Sequence, residues 1–208
     1  IATIDKIRKH FKYKGPIGVG FPGIIIDGVT HSAVNIHEEW YKFPAEKKIA
    51  KATGCDVLVR NDADVAGYAE MRFGAGKKAK GETMIFTLGT GIGSSMFVNN
   101  QCVPNLEMGH IYLPGHEEDA ERYTSDRARK EDNLSWKAWG KRLDEYFQHI
   151  EFLFSPQLLI IGGGVSKNSD KFLKYIKTNA RVVPAKLLNE AGIIGAAAAA
   201  AAGGDCSL

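Results

Sequence analysis

A glycine-rich turn with hydroxyl side chains is the first feature of this 208-residue chain that could do chemistry. The stretch "TLGTGIGS" carries Thr87, Gly89, Thr90, Gly91 and Gly93 between two apolar runs. Backbone N–H groups in such a turn can converge on one phosphate, and threonine hydroxyls add further donors. A tight hairpin whose glycines serve only geometry explains the pattern equally well. The spacing matches neither a Walker loop nor the dinucleotide fingerprint G-x-G-x-x-G.

A second glycine run, "IIGGGVS", contains Gly162, Gly163 and Gly164, and Lys167 follows shortly after it. Glycines between a buried strand and a helix permit a ligand to approach the helix N-terminus closely. A close crossing of the strand and the helix is the alternative. Taken alone, the pattern favours the crossing.

The stretch "RNDAD" places Asn61, Asp62 and Asp64 where a strand is predicted to end and a helix to begin. A carboxylate in this place could accept a proton from a substrate hydroxyl. Capping of the helix is the commonest use of aspartate there, and the pattern by itself favours a cap.

A fourth group of polar residues comprises Glu107 and His110 of "EMGH", with Glu121 further along. Carboxylates and a neutral imidazole can hydrogen-bond the vicinal hydroxyls of a sugar. Solvated surface side chains, and an ordinary packed histidine for His110, are the alternatives.

The elements that must position these groups alternate between strand and helix. Pro44 and Gly54 suit the start and stop of one helix, and "ADVAGYAEMRFG" predicts another. From Trp136 to Phe154, apolar residues recur every three or four positions, which is typical of an amphipathic helix. Asp27-Gly28 predicts a hairpin turn. The chain is therefore predicted to be α/β with mixed sheets.

Two further segments complete this prediction. The stretch "SDKFLKYIKTNA" predicts a helix capped by Ser169 or Asp170. The charged stretch "HEEDAERYTSDRARKEDN" contains few apolar residues and is expected to lie on the surface.

Composition narrows the class of protein. Apolar residues make up 44% of the chain, charged residues 25%, and the net charge is +3, which does not by itself indicate a nucleic-acid partner. Cys55, Cys102 and Cys206 stand far apart, which suits a reduced intracellular compartment. No apolar run is long enough for a membrane span, and no signal peptide is visible.

The order of the motifs resembles that of the Repressor–ORF–Kinase (ROK) family of sugar kinases. "GVGFPG", "RNDAD", "TLGTGIGS", "EMGH" and "IIGGGVS" follow one another as in that family, and the likeness spans about Gly15 to Ala202. The resemblance implies the actin-like ATPase (ribonuclease H-like) fold with two α/β domains. These would be residues 1–60 with a helix returning at 193–202, and residues 61–192, followed by a tail at 203–208. The likeness begins after the family's first phosphate loop, Asp-x-Gly-Gly-Thr, so the fold is expected to be N-terminally incomplete.

"GVTHSAVNIHEEW" and "AERYTSDRARKEDNLSWKAWGKRL" look like the branch of the family that uses polyphosphate. This implies phosphoryl transfer from inorganic polyphosphate, with ATP as a second donor, to the 6-hydroxyl of glucose. Asp62 would be the general base. The implied sugar-binding residues are Gly23, Asn35, Asn61, Asp62, Glu107, His110 and Glu121. The donor would meet Thr87, Gly89, Thr90, Gly91 and Gly93, and the region of Gly162, Gly163, Gly164 and Lys167.

The same resemblance implies cofactors and partners. Mg²⁺ would accompany the donor, whereas no zinc is expected, because the cysteine cluster that most relatives carry after "E-x-G-H" is missing here. A cytoplasmic homodimer without nucleic-acid or membrane partners is expected. Three basic groups could follow a polyphosphate chain, although solvated faces are favoured for each: Lys77, Lys78 and Lys80; Arg122, Arg127, Arg129 and Lys130; Lys167, Lys171 and Lys174.

Two rival functions remain open from the sequence. One is an ATP-dependent glucokinase or another hexose kinase of the same family. The other is a non-catalytic sugar-binding relic, which the missing Asp-x-Gly-Gly-Thr loop suggests. A DNA-binding regulator is disfavoured, because no helix-turn-helix arm precedes Ile1.

Overall fold

The computed structural model describes residues 1–32 and 36–204. The described residues form two compact units, of which the first contains residues 1–32, 36–69 and 190–204. The second unit contains residues 70–189. The domain boundary expected from the sequence, after Arg60, stays a prediction.

Single strands or groups of strands alternate with single helices or groups of helices along the described chain. The helices are α1 (Ala2–His10), α2 (Ala45–Thr53), α3 (Asp62–Phe73), α4 (Ala120–Thr124), α5 (Asp126–Glu131), α6 (Trp136–Phe154), α7 (Ser169–Phe172) and α8 (Ala191–Ala201). The strands are β1 (Ile17–Phe21), β2 (Ile25–Ile26), β3 (Val29–Thr30), β4 (Val57–Asn61), β5 (Glu82–Leu88), β6 (Ile92–Val98), β7 (Gln101–Val103), β8 (Leu158–Gly162) and β9 (Arg181–Pro184). Short 3-10 segments lie at Glu38–Trp40, Met108–His110, Gly164–Asn168, Leu173–Tyr175 and Leu188–Glu190. None of the described helices is both long and apolar enough to cross a membrane.

The first unit is built on the parallel pair β1 and β4, whose register aligns Phe21 with Asn61. Phe21 and Val59 are buried with Ile49 of α2 in a small apolar core. The end of β4 is anchored by this core. The packing therefore fixes the backbone at Arg60 and Asn61, where the "RNDAD" stretch begins.

Turn chemistry explains the short connections of the first unit. β2 and β3 form an antiparallel hairpin through Asp27 and Gly28, whose φ angles of 50° and 72° suit a type I′ turn. Helix α2 begins after Pro44 and ends at Gly54, which is left-handed with φ 68°. The predicted hairpin and the predicted helix are therefore confirmed.

Helix α8 packs closely against β1 and α3 because small residues line the crossing. A β-carbon on Gly18 of β1 would collide with the carbonyl of Ala196, and one on Gly195 would collide with the carbonyl of Val65. The alanine-rich sequence of α8 therefore serves a close backbone approach rather than a bulky core.

The second unit contains a five-stranded sheet in the order β7-β6-β5-β8-β9. β5 pairs with β8 and β8 with β9 in parallel, whereas β5, β6 and β7 pair antiparallel. All five residues of β8 are buried, as expected of a central parallel strand. The predicted mixed sheet is confirmed.

Helix α6 covers one face of this sheet. Its residues Trp139, Leu143, Phe147 and Ile150 are fully buried and belong to the same core as Phe86 of β5. These are four of the periodic apolar residues, so the predicted amphipathic helix is confirmed with its apolar stripe facing the sheet.

The helix predicted for "SDKFLKYIKTNA" is much shorter than expected. Only α7 is α-helical, and a 3-10 segment follows it. Acidic side chains of α6 bind the next backbone groups: Asp144 accepts from the N–H of Lys177 (2.6 Å), and Glu151 from that of Ala180 (2.6 Å). Directly after Tyr175 the chain is not helical, and these carboxylates accept N–H groups that a longer helix would have bonded internally.

The surface location expected for "HEEDAERYTSDRARKEDN" is wrong for its small residues. The stretch contains α4 and α5, and Thr124 and Ser125 between them are fully buried. The indole N–H of Trp139 donates to the Thr124 carbonyl (2.9 Å), and the Ser125 hydroxyl caps α5 at Ala128 (3.1 Å). Small polar residues can be buried here because their hydrogen bonds are satisfied.

Candidate functional site

The two glycine-rich stretches lie at one edge of the five-stranded sheet. β5 and β8 are parallel neighbours, and Thr87 pairs with Gly162. Each glycine stretch therefore occupies the carboxyl end of its strand, where ligands commonly bind in α/β sheets. This neighbourhood could not be read from the separate motifs.

The turn "TLGTGIGS" is a hairpin, but hairpin geometry does not require all its glycines. Leu88 pairs with Ile92, and the N–H of Gly89 donates to the Gly91 carbonyl (2.9 Å). A β-carbon on Gly91 would collide with the carboxylate of Glu121. One on Gly89 would meet no heavy atom within 4 Å, and φ of Gly89 is not positive. Packing thus explains Gly91, whereas Gly89 leaves open space against the turn.

The run "IIGGGVS" divides in the same way. Gly163 has φ 81°, and a β-carbon there would collide with the backbone of Leu88. Gly164 is exposed, and a β-carbon there would meet nothing within 4 Å. Close packing therefore explains Gly163, but its neighbour is strand β5 and not the helix that the crossing interpretation expected. Gly164 and the exposed Lys167 belong to a 3-10 segment, not to the α-helix expected at this point.

Glu121 lies against the glycine turn. One carboxylate oxygen, Oε2, accepts the N–H of Ile92 (2.8 Å), and the other lies 3.6 Å from Nη2 of Arg127. A β-carbon on Gly109 would lie 2.9 Å from the Ile92 carbonyl and 3.4 Å from Oε2, so this glycine permits the close approach to Ile92 beside the carboxylate. The sugar-binding role implied for Glu121 stays a prediction.

The backbone around Glu107 is held from beneath by Ser94. This buried side chain donates to the Leu106 carbonyl (2.9 Å) and accepts from the N–H of Met108 (3.0 Å). The hydroxyl of Tyr146 donates to the Met108 carbonyl (3.0 Å). Ser94, which the sequence groups with the hydroxyls of the turn, thus positions the half-buried Glu107 instead.

His110 is paired with an acid that sequence reasoning missed. Its Nδ1 lies 2.8 Å from Oδ2 of Asp119, whose other oxygen accepts the N–H of Arg122 (3.0 Å) at the start of α4. The hydrogen bond to Asp119 raises the pKa of His110; partial burial opposes this, and the charges of Glu121, Asp119 and Glu107 add to the rise. The pairing favours the protonated ring, which donates from both nitrogens.

In the first unit, the cap of α3 is Asn61 and not an aspartate. Its Oδ1 accepts the N–H groups of Ala63 (2.8 Å) and Asp64 (3.1 Å). Its Nδ2 donates to the Gly23 carbonyl (3.2 Å), which ties the Pro22-Gly23 turn to the start of the helix. The cap of the helix that "RNDAD" predicts is therefore Asn61, and Asp62 is the first residue of the helix.

Asp62 begins α3 and is exposed, whereas Asp64 is buried. Neighbouring protein atoms still displace enough water from the Asp62 carboxylate to raise its pKa, although the backbone N–H groups of Ala63 and Asp62 oppose the rise. A carboxylate with a raised pKa is a better proton acceptor than an ordinary aspartate. Asn35, the remaining predicted sugar ligand, lies outside the described residues.

Comparison with known proteins gives concordant matches. A profile of the ROK family matches residues 1–123. The polyphosphate glucokinase of Mycobacterium tuberculosis is 38% identical over 201 residues, which cover 96% of this chain and 75% of that protein. A glucokinase of Halalkalibacterium halodurans is 29% identical over 264 residues, covering 93% and 79%.

Among solved structures, an inorganic polyphosphate/ATP-glucomannokinase from Arthrobacter sp. strain KM matches with a TM-score of 0.84 and 48% identity. The match covers 90% of this chain and 74% of that chain. A ROK family glucokinase from Streptomyces griseus, solved with glucose and AMPPNP, matches in fold with a TM-score of 0.75 at 24% identity.

Proposed function

The chain belongs to the ROK family, and on this premise we propose that it is a polyphosphate glucokinase. It transfers a phosphoryl group from inorganic polyphosphate, and from ATP as a second donor, to the 6-hydroxyl of glucose. Its fold is the actin-like ATPase fold of the ROK sugar kinases, as the sequence predicted. The observation that carries the proposal is its 38% identity to a polyphosphate glucokinase over 96% of the chain.

Phosphoryl transfer needs positioned groups more than covalent chemistry. We propose Asp62 as the general base that accepts the proton of the sugar hydroxyl. Its position as the first residue of α3, with the cap supplied by Asn61, supports this role. General-base assistance of this kind contributes about 10²–10⁴-fold to the rate.

The remaining side chains would bind and orient the two substrates. The sugar would contact Glu107, His110 and Glu121. Asn61 would donate the second N–H of its side-chain amide, since the first is bound to the Gly23 carbonyl. The open face of Gly89 and the hydroxyls of Thr87 and Thr90 suit a phosphate. Gly164 and Lys167 would meet the rest of the donor.

Related kinases imply a divalent metal, and we propose Mg²⁺. Among the described residues, no group of three or more histidine, cysteine or acidic side chains converges as a metal cage. Mg²⁺ usually keeps several waters and is held by one or two carboxylates plus substrate phosphates. We therefore propose a metal that arrives bound to the phosphates of the donor. Bound in this way, it would neutralise charge on the transferring phosphate.

A donor assay tests the proposed function. The purified protein, supplied with Mg²⁺ and glucose, is expected to form glucose 6-phosphate with polyphosphate at a higher kcat/KM than with ATP. Activity with ATP alone would favour the rival hexose kinase. Glucose binding without turnover of either donor would favour the sugar-binding relic and overturn the proposal.

A methyl group at Gly89 distinguishes a phosphate turn from a simple hairpin. Gly89→Ala should fold normally, because the new β-carbon meets no heavy atom within 4 Å. It should lower kcat/KM for the donor by about 10-fold or more, because small displacements of a reacting group are costly. The measurement is steady-state kinetics with varied polyphosphate at saturating glucose.

Gly192→Ala is the control for this substitution, since its β-carbon also meets nothing within 4 Å and the residue lies in α8, outside the proposed site. Equal donor kinetics in the two variants would support the hairpin interpretation and remove Gly89 from the proposed phosphate site.

Location and assembly are also part of the proposal. We propose a cytoplasmic protein, which fits the sequence and its widely spaced cysteines. A homodimer is proposed from the family resemblance, and light scattering on the purified protein would show a monomer if this is wrong.

A further inference from the structure

The basic stretch from Arg122 to Lys130 is not a uniform cationic face. Arg129 and Lys130 are both paired with Asp126, at 2.8 and 2.7 Å. The guanidinium of Arg129 also stacks on the ring of Trp136, 4.2 Å from its centroid. These two cations therefore pair within α5 and pack on Trp136, which argues against the less favoured alternative that they follow a polyphosphate chain.

Arg127 differs from its neighbours because its backbone contacts the glycine turn and its side chain lies beside Glu121. Its N–H donates to the Gly89 carbonyl (3.2 Å). Its guanidinium approaches Oε1 of Glu121, while Oε2 of the same carboxylate accepts the N–H of Ile92 (2.8 Å). The backbone of Arg127 is therefore bound to the turn, and its guanidinium lies beside a carboxylate that is itself bound to the turn.

The pairing with Glu121 leaves much of the guanidinium available. The nitrogen–oxygen distance of 3.6 Å is too long for a hydrogen bond, and 33% of the Arg127 side chain is exposed. A guanidinium has five N–H donors in a planar fork that matches a phosphate. Beside it, the open face of Gly89 offers space but no charge.

We propose that Arg127 binds a phosphate of the phosphoryl donor at the glycine turn, held in place by Glu121. This inference rests on the proposed function and extends it by naming a cation for the donor. Because a phosphate is the feature that polyphosphate and ATP share, Arg127 should serve both donors.

The test compares Arg127→Gln with Arg122→Gln. Arg127→Gln should lower kcat/KM for polyphosphate and for ATP by about 10- to 100-fold, as expected for loss of a charge-assisted hydrogen bond. The KM for glucose at saturating donor should change less than about twofold. Arg122 is exposed on the neighbouring helix, so its variant removes the same charge. Equal effects in both variants, or a change confined to the glucose KM, would overturn the proposal.

A double-mutant cycle separates donor binding from simple neutralisation of Glu121. Glu121→Gln removes the charge but keeps an oxygen for the Ile92 N–H. If Arg127 contacts the donor, Arg127→Gln should still weaken the donor kinetics in this background. If its effect disappears there, Arg127 only neutralises Glu121 and the proposal is wrong.

Binding of polyphosphate can be measured without turnover, and it tests the role of Arg127 separately from the proposed function. Calorimetric titration of wild type and Arg127→Gln with polyphosphate should show weaker binding by the variant and a smaller salt dependence. If wild type binds polyphosphate without phosphorylating glucose, the proposed function fails while Arg127 is still judged by this difference. Equal binding by the two proteins would overturn the inference.

Discussion

Asp62→Asn should lower kcat for glucose phosphorylation by about 10²–10⁴-fold with either donor, because the amide cannot accept the proton of the sugar hydroxyl. The fold should persist, since Asn61 caps α3 through Ala63 and Asp64. Loss of the acidic charge from the first helical turn costs at most about 1 kcal/mol. Steady-state kinetics, with thermal unfolding and glucose titration as companions, measure the effect.

Asp27→Asn is the matched control for Asp62→Asn. Asp27 is exposed in the β2–β3 turn at φ 50°, a conformation that asparagine adopts readily. This variant should keep full activity. The raised pKa of Asp62 adds a second readout, the dependence of kcat/KM on pH. The apparent pKa of its acidic limb should lie above the ordinary aspartate value of about 3.9, and this limb should vanish in Asp62→Asn. An unchanged kcat in Asp62→Asn would rule out Asp62 as the general base.

Gly195→Ala should destabilise the protein by about 3 kcal/mol or more, because overpacking against a rigid backbone cannot be relieved by a rotamer change. The added β-carbon would collide with the Val65 carbonyl of α3. Helix α8 would have to move from its crossing with β1 and α3. Urea denaturation measures the change in the free energy of unfolding.

The same substitution three residues earlier in α8 is its control. A β-carbon at Gly192 meets nothing within 4 Å, so Gly192→Ala should stabilise the protein by up to about 1 kcal/mol through the higher helix propensity of alanine. Equal stability of the Gly195→Ala and Gly192→Ala variants would contradict the close crossing.

Local patterns were sufficient where short-range chemistry decides the structure. The period of α6, the Asp27-Gly28 hairpin and the Pro44–Gly54 boundaries of α2 are set by neighbouring residues, and all three were predicted. Prediction failed after α7, where Asp144 and Glu151 bind the backbone of a segment far along the chain. Such competition cannot be read from the segment itself.

The candidate site shows the same division. From the sequence alone came the motif order, the family resemblance, and with them the proposed roles of Asp62, Glu107 and His110. Only the tertiary structure decided which groups are already engaged. Asn61 takes the cap, and Ser94 is occupied beneath Glu107.

The glycines illustrate the physical reason. In the sequence, Gly89 and Gly91 are equivalent members of one motif, as are Gly163 and Gly164. In the fold, Gly91 and Gly163 face a carboxylate and a backbone, whereas Gly89 and Gly164 face open space. Residue types and spacing determine what a turn can bind, because donors and backbone freedom are local properties. Which glycine meets a neighbour and which leaves room for a phosphate depends on strands and helices brought together from elsewhere in the chain.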